Sequence, residues 1–362
     1  MQFFSLRLIV LLCLVLAACN TPNQQEEASA NSHDTITQTD FGNILIVTAD
    51  EKYKTLRVKT TDSDLRKILS EDTIALSQRE GVLCQNKAKN PETHYGFQAR
   101  DDLSKYYFAF YKGSLMKEEY EWCRLYEYDA SLEEWTQLID FGEIYEPIWK
   151  YVDGKSAIVY VDQKSGTLLS YHLGNKNIDT LRKVNIDVRE HALEAKDGQI
   201  KLSYKEDEQV KQIRYNFSDQ TLEEETMAPA NGFSSIYQEY VLQVYFKNIE
   251  EQGFRLYQEG KLIADQPFTV GNVNSFWNES GNFYLLGEES IFMMNTKLDT
   301  LSTIKLNSPF IYNVLEEQVL AHERKEADKG EIQPYLLPKD LSTKQATQIL
   351  ENTEWTLLVR EI

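Results

Sequence analysis

Along most of the chain the apolar side chains come in short alternating runs, separated by turns rich in Gly, Asp, Asn and Ser. Four runs read alike: Arg124, Leu125, Tyr126, Glu127, Tyr128; Leu168, Leu169, Ser170, Tyr171, His172; Ile213, Arg214, Tyr215, Asn216, Phe217; and Arg255, Leu256, Tyr257. Alternation of this kind is the period of a half-buried strand and not of a helix. After a short polar turn comes a hairpin partner, and such partners recur at residues 132–139, 178–184, 221–227, 262–270, 298–306 and 341–350. The apolar residues that open them, Leu132, Ile178, Leu222, Leu262, Leu298 and Leu341, stand 46, 44, 40, 36 and 43 residues apart. Spacing that regular marks a repeat of about 42 residues from residue 94 to the C-terminus.

Two further strands lie upstream of each hairpin, as at 147–152 with 157–161 and at 275–278 with 283–286. Four short strands per unit, rich in Tyr, Phe, Val, Ile and Leu, are the pattern of β-propeller blades. Six units are countable. Residues 43–84 carry runs of their own at 44–48, 55–58 and 73–76, and residues 354–362 read as a last strand. Pairing the two ends completes a seventh blade and removes the open edges of the array. The expected fold is all-β, a single propeller over residues 43–362 with seven four-stranded blades; six blades, or two tandem β-sandwiches, are the alternatives. Two segments break the rhythm. Residues 62–72 place Leu65, Ile68 and Leu69 at helical spacing behind a cap at Asp62 or Ser63, and residues 340–350 also read as a short helix.

The N-terminus follows a different logic. Residues 1–7 hold one basic side chain, Arg7, and residues 8–18 are an unbroken apolar run ending in two alanines. A membrane span needs roughly 20 helical residues, so this run fits instead the apolar core of a secretory signal. Leu16, Ala17, Ala18 and Cys19 resemble the lipobox of bacterial lipoproteins. The resemblance implies diacylglyceryl transfer to the Cys19 sulfur, cleavage before it and acylation of the new N-terminus, an anchor stronger than the marginal single chain. In that family an aspartate after the cysteine marks inner-membrane retention, so Asn20 here implies the outer membrane. Gln24, Gln25, Glu26 and Glu27 are similar to the tracts behind the cysteine of some surface-exposed lipoproteins. Whether the anchored chain faces the periplasm or the cell exterior stays open. Residues 20–40 hold no aromatic side chain and are rich in Asn, Gln, Ser and Thr, so residues 19–42 are expected to form a flexible tether.

Charge narrows the partners. The chain has 57 acidic and 38 basic residues, a formal net charge of −19, and loses one more positive charge when Arg7 leaves with the signal. That balance, with no Lys/Arg-rich run, excludes nucleic acid and argues against anionic lipid head groups, leaving the acyl anchor as the membrane contact. The acidic groups Glu133 and Glu134, Glu223 to Glu225, and Glu250 and Glu251 read as solvated faces and turns. Of four cysteines, Cys13 leaves with the signal and Cys19 is lipidated, so Cys84 and Cys123 remain. In an exported chain the simplest reading is a disulfide, which closes a loop of about 40 residues and adds up to about 4 kcal/mol in the chain-entropy model. Two buried free thiols or a metal pair are the alternatives.

Catalytic chemistry has no local signature. None of His33, His94, His172, His191 and His322 sits at metal-ligand spacing, and the serine elbow, the P-loop and G-x-G-x-x-G are absent, so no metal, cofactor or catalytic residue is assigned. His172, alternating with Tyr171 on an outer strand, reads as structural. The first strands of the blades carry Tyr95 and Phe97, Trp149, Tyr237, Phe276 and Trp277, and Tyr312. From these, Trp149, Tyr237 and Trp277 are ligand-binding candidates for a sugar or peptide, against the competing reading that the aromatics pack between blades. Asp34, Thr35 and Ile36 resemble the sequon of bacterial periplasmic O-glycosylation, as do triplets beginning at Asp72, Asp179 and Asp299; only Thr35 lies in the tether. The expected function is a non-enzymatic outer-membrane scaffold for a protein or glycan partner. A propeller enzyme acting on glycans or peptides, with carboxylates drawn from different blades, and a structural component of envelope assembly are the alternatives.

Overall fold

Both faces of the second strand in a blade are apolar, which dictates a sheet covered on both sides. The computed structural model describes residues 43–361 apart from 51–53, 77–79, 85–95, 101, 115–118, 145, 185–190, 231–232, 238, 247–251, 268–274, 278–280, 288, 316–317, 325–331 and 348–354. Blade 1 contains β1 (Ile44–Ala49), β2 (Thr55–Thr61) and β3 (Ile68–Ala75). Blade 2 is built from β4 (Val82–Leu83), β5 (Phe97–Ala99), β6 (Lys105–Ser114), β7 (Glu119–Asp129) and β8 (Glu134–Gly142). Blade 3 follows with β9 (Trp149–Val152), β10 (Ala157–Asp162), β11 (Thr167–His172) and β12 (Ile178–Lys183). Blade 4 holds β13 (His191–Lys196), β14 (Gln199–Glu206), β15 (Gln209–Asn216) and β16 (Thr221–Pro229). Blade 5 holds β17 (Phe233–Tyr237), β18 (Tyr240–Phe246), β19 (Gln252–Gln258) and β20 (Lys261–Pro267). In blade 6 come β21 (Ser275–Trp277), β22 (Phe283–Leu286), β23 (Ser290–Met294) and β24 (Thr300–Lys305). Blade 7 ends the series with β25 (Phe310–Val314), β26 (Gln318–Arg324), β27 (Ile332–Pro338) and β28 (Gln345–Ala346).

The last strand, β29 (Trp355–Glu361), returns to blade 1 and pairs antiparallel with β1, from Ile44 opposite Glu361 to Ala49 opposite Trp355. Blade 1 therefore runs β29-β1-β2-β3, and the ring closes as a seven-bladed β-propeller. Within the ring β9 lies against β13, β21 against β25, β25 against β29 and β29 against β5, so the first strand of each sheet is innermost.

Among the described residues, seven apolar clusters sit in the seven gaps between successive blades. Leu45, Val47 and Leu56 of blade 1 meet Phe97, Phe108 and Phe110 of blade 2, and at the far end of the ring Tyr312 and Leu320 of blade 7 meet Ile44 and Ile46 of blade 1. Alternate residues of one strand thus feed opposite gaps. Phe283 and Leu285 face blade 5, whereas Tyr284 and Leu286 face blade 7. A strand with both faces packed carries a near-continuous apolar run, as in β1, β10 and β22. The outermost strands β3, β12 and β24 are exposed along most of their length and carry the polar residues.

Two expectations need correction. The segments 62–72 and 340–350, read as helices, are hairpin turns and strand among the described residues. In the first, the Asp62 carboxylate accepts the N–H groups of Arg66 (2.7 Å) and Lys67 (3.1 Å), and Leu65 N–H donates to the Asp62 carbonyl. Leu65 then takes a φ of 52°, which turns the chain back into β3 rather than onward into a helix. The same device recurs at Leu103, Leu298 and Leu341, with φ of 54°, 66° and 55°, and in each the leucine N–H donates three residues back. Leu65, Leu298 and Leu341 are buried, so packing into the gaps holds a backbone conformation that leucine disfavours by about 1–2 kcal/mol. A capping aspartate with an apolar residue three positions on is common to this turn and to a helix start, which explains the misreading. The other departure is in blade 2, where the innermost strand is divided into β4 and β5, both paired to β6.

Leu341→Ala should lower stability by about 2–4 kcal/mol through lost burial. Leu341→Gly, although smaller still, should be at least as stable as the alanine variant because it relieves the positive φ; chemical denaturation midpoints of the two variants check this inverted order.

Candidate functional site

The inner strands are the natural place for a ligand in a propeller, and the structure shows what occupies them. Phe97, Trp149 and Tyr312 are buried in the gaps before or after their blades, Trp149 at 2% exposure among Tyr107, Tyr111, Tyr151 and Tyr160. Tyr237, Phe276 and Trp277 lie on the inner strands β17 and β21, and their side chains fall outside the described residues, as do Tyr95, Cys19 and Thr35 altogether. Of the three ligand-binding candidates Trp149, Tyr237 and Trp277, Trp149 has a described side chain, and it packs in the gap between blades 2 and 3.

The seam between blades 2 and 3 is the best-defined inner feature. Gln98, in the middle of β5, is buried, and its amide replaces a missing strand-to-strand ladder: Nε2 donates to the Trp149 carbonyl (3.4 Å) and Oε1 accepts the Tyr151 N–H (2.8 Å). Beside it the rings of Tyr107 and Tyr151 stack with centroids 4.7 Å apart. Burial pushes the Tyr151 phenol up to about 12 and raises that of Tyr107 further, with Glu127 adding to the latter. The indole Nε1 of Trp149 is buried without a hydrogen-bond partner among the described residues. At the rim of the seam charge reappears in pairs: Arg100 with Asp102 (3.2 Å), Lys105 with Glu127 (2.5 Å), and the Tyr151 hydroxyl donating to Asp153 (3.2 Å). Such a seam locks two blades together, and its phenols stay protonated at neutral pH.

Comparable polar struts cross other gaps. Gln243 of blade 5 donates to the Pro229 carbonyl of blade 4, the Tyr284 hydroxyl to the Lys339 carbonyl (2.9 Å), and Thr347 Oγ1 to the Leu65 carbonyl (3.3 Å). Sequence reasoning passed over these residues. The signal that could have found Gln98 and Gln243 is a lone amide inside an otherwise apolar strand, since a buried amide demands partners.

Of the inner strands, β13 contributes Glu194 and β29 Glu361, while Lys150, Lys196 and Arg360 carry the opposite sign. Most acidic residues lie outward, and Glu133, Glu134, Glu223 and Glu224 are exposed. No group of three or more His, Cys, Asp or Glu able to hold a metal occurs among the described residues. No helix among them is long and apolar enough to cross a membrane. His172 Nε2 stands 2.8 Å from Asp179 Oδ2 on the outer hairpin of blade 3. Cys84 and Cys123 are unbonded and buried, with their Sγ atoms 3.4 Å apart. His322 of β26 stacks on Phe310 and tilts against Tyr312; burial first, and then Arg324, lower its imidazole to about 4.

No protein-family model matches the chain, and no curated protein sequence matches it. Among solved structures it is similar to TolB from Acinetobacter baumannii, at 10% identity and a TM-score of 0.44 over 88% of this chain and 65% of that one. It is also similar to an acylaminoacyl peptidase from Pyrococcus horikoshii (11%, 0.44, 70% and 45%) and to a chain of a nidogen/laminin complex (8%, 0.43, 89% and 98%). The chain thus spans less than two thirds of the TolB chain and less than half of the peptidase.

Gln98→Leu leaves a buried carbonyl and a buried N–H without partners and should lower stability by about 2–4 kcal/mol, read from chemical denaturation. For His322, a folded-state value below the unfolded value of about 6.5 means that the unfolded chain takes up the proton first. Stability should therefore fall by about 2–3 kcal/mol as pH drops from about 6.5 to about 4 and level off below, and His322→Phe should flatten that window in thermal or chemical denaturation.

Proposed function

We propose that this protein is a lipoprotein anchored through Cys19 in the outer membrane, whose propeller serves as a non-enzymatic scaffold for a protein or glycan partner. The observation that carries the reading is the use made of the inner strands: their described aromatics, Phe97, Trp149 and Tyr312, are buried between blades. A ring built that way recognises through the turns on its two faces, where connecting segments tolerate variation and carry binding residues. The signal segment ending at Cys19 supplies the address, and residues 20–40 have the composition of a tether. A net charge of −19 turns the search for a partner toward proteins and glycans and away from nucleic acid.

Two measurements test the two halves of the reading. Cys19→Ser should move the protein from the membrane fraction to the soluble fraction; retention in membranes sinks the anchor. Affinity isolation of the wild-type chain from cross-linked, mildly solubilised membranes should recover a partner in fixed ratio. Recovery of the chain alone from intact, correctly localised material removes the scaffold.

A further inference from the structure

The chain enters the ring at Ile44, which stands opposite Thr61 at the end of β2, just before the turn that leads into β3. Every blade runs antiparallel in the same order from the inside out, so the turns between third and fourth strands all open at that end of the ring. Among the described residues, the large apolar side chains left exposed gather there. Leu132 lies in the β7–β8 turn of blade 2 at 64% exposure, and Ile178 and Leu262 stand at the starts of β12 and β20. Val82, on the inner edge of blade 2, is the exception. Three more are placed by β-bulges. In β3, Ser70 stands opposite Thr60 and Ile68 opposite Thr61, which leaves Leu69 unpaired; Ile263 of β20 and Leu301 of β24 are skipped in the same way. A bulge re-aims the extra residue and blunts an edge strand, a task in which natural edges also use charged side chains. Here all three extra residues are exposed aliphatics. Exposed lysines accompany them: Lys67 ahead of Ile68, Lys176 ahead of Ile178, Lys261 before Leu262 and Lys297 ahead of Leu301. Aliphatic and ammonium groups interleaved along the rim of one face match a surface that is apolar within and bears phosphate at its boundary.

We propose that this end of the propeller rests on the lipid bilayer, its aliphatics entering the boundary between head groups and acyl chains and its lysines meeting lipid phosphates. The inference rests on the proposed anchoring at Cys19. As a flexible coil, residues 19–42 span roughly 25–30 Å, so the end of the ring where Ile44 lies is held within reach of the surface that takes the acyl chains. Each aliphatic contact is weak, but the anchor makes the encounter intramolecular and thereby raises its effective concentration. The net charge of −19 does not oppose it, because a zwitterionic bilayer has no net surface charge to repel the chain. The opposite end, with the turns between second and third strands, then faces away from the membrane and stays free for a partner.

The lipidated chain is reconstituted in phosphatidylcholine vesicles with a nitroxide on a cysteine introduced at either end of blade 6, by Thr300→Cys beside Leu301 or by Glu289→Cys in the β22–β23 turn. Cys84 and Cys123 are buried and stay unlabelled in the folded state. Relative to the unlipidated Cys19→Ser chain free in solution, the label at position 300 should lose several-fold accessibility to a water-soluble nickel chelate and gain accessibility to oxygen, whereas the label at 289 should keep its aqueous values. Leu69→Ser, Ile178→Ser, Leu262→Ser and Leu301→Ser combined should leave the protein on the vesicles and return the label at 300 to aqueous values; a label that stays inserted overturns the role of the aliphatics. Vesicle-bound protein with both labels aqueous overturns the docking and leaves the anchor standing. Protein that fails to float with the vesicles overturns the anchor, and the docking with it. A label at 300 shielded from nickel without a gain in oxygen is covered by a second copy of this chain, which overturns the bilayer as the occupant.

Discussion

Everything in this molecule depends on the antiparallel pairing of β29 with β1. Each blade is apolar on both faces, so none of them is stable without a neighbour on either side, and a linear array would leave two blades half covered. Seven shared clusters, including the one that joins Tyr312 and Leu320 to Ile44 and Ile46, meet that requirement only if the ring closes. The ladder from Ile44 opposite Glu361 to Ala49 opposite Trp355 makes the closure and also covers the inner edge of β1, which would otherwise offer unpaired backbone groups to other chains.

From that constraint comes the radial ordering of chemistry. Inner and second strands supply the buried surface, and outer strands, with one edge open, take the charges. Arg182 with Glu224, Arg124 with Asp140 and Arg255 with Asp265 are all pairs on outer or next-to-outer strands. Exposed pairs of this sort add little to stability, about 0–1 kcal/mol each, but they keep a strongly acidic chain from accumulating like charge at the rim. The interior is specified instead by shape and by a few amides and hydroxyls, Gln98, Gln243 and Tyr284 among them, that fix how one blade is set against the next.

The blade rhythm was legible in the sequence because outer hairpins are half buried and therefore alternate. Third and fourth strands such as β7 with β8 and β11 with β12 lie where the pattern of residues 124–139 and 168–184 puts them. Closure by the two ends was legible too, since an unmatched final strand had no other partner. What escaped was local. Asp62 followed by Leu65 looks like the cap of a short helix, and residues 340–350 also read as one, but a buried leucine in a left-handed conformation, Leu65 or Leu341, turns each into a hairpin. The inner aromatics were seen, but periodicity cannot say whether Trp149 faces a channel or a neighbouring blade; the cluster it shares with Tyr107 and Tyr160 settles that in favour of the blade.

The divided inner strand of blade 2 carries an evolutionary consequence. Because the Cys84 carbonyl bonds directly to the Gly96 N–H, the ladder along β6 continues from β4 to β5 as though the eleven intervening residues were not there. The pairing with β6 at that point is made by the residues on either side of the break. Adding residues between two positions that are already held together raises the closure cost only slowly, by about 0.6 kcal/mol per doubling. Blade 2 therefore offers a port at which new sequence can be acquired, lost or exchanged while the seven-fold scaffold around it is inherited unchanged.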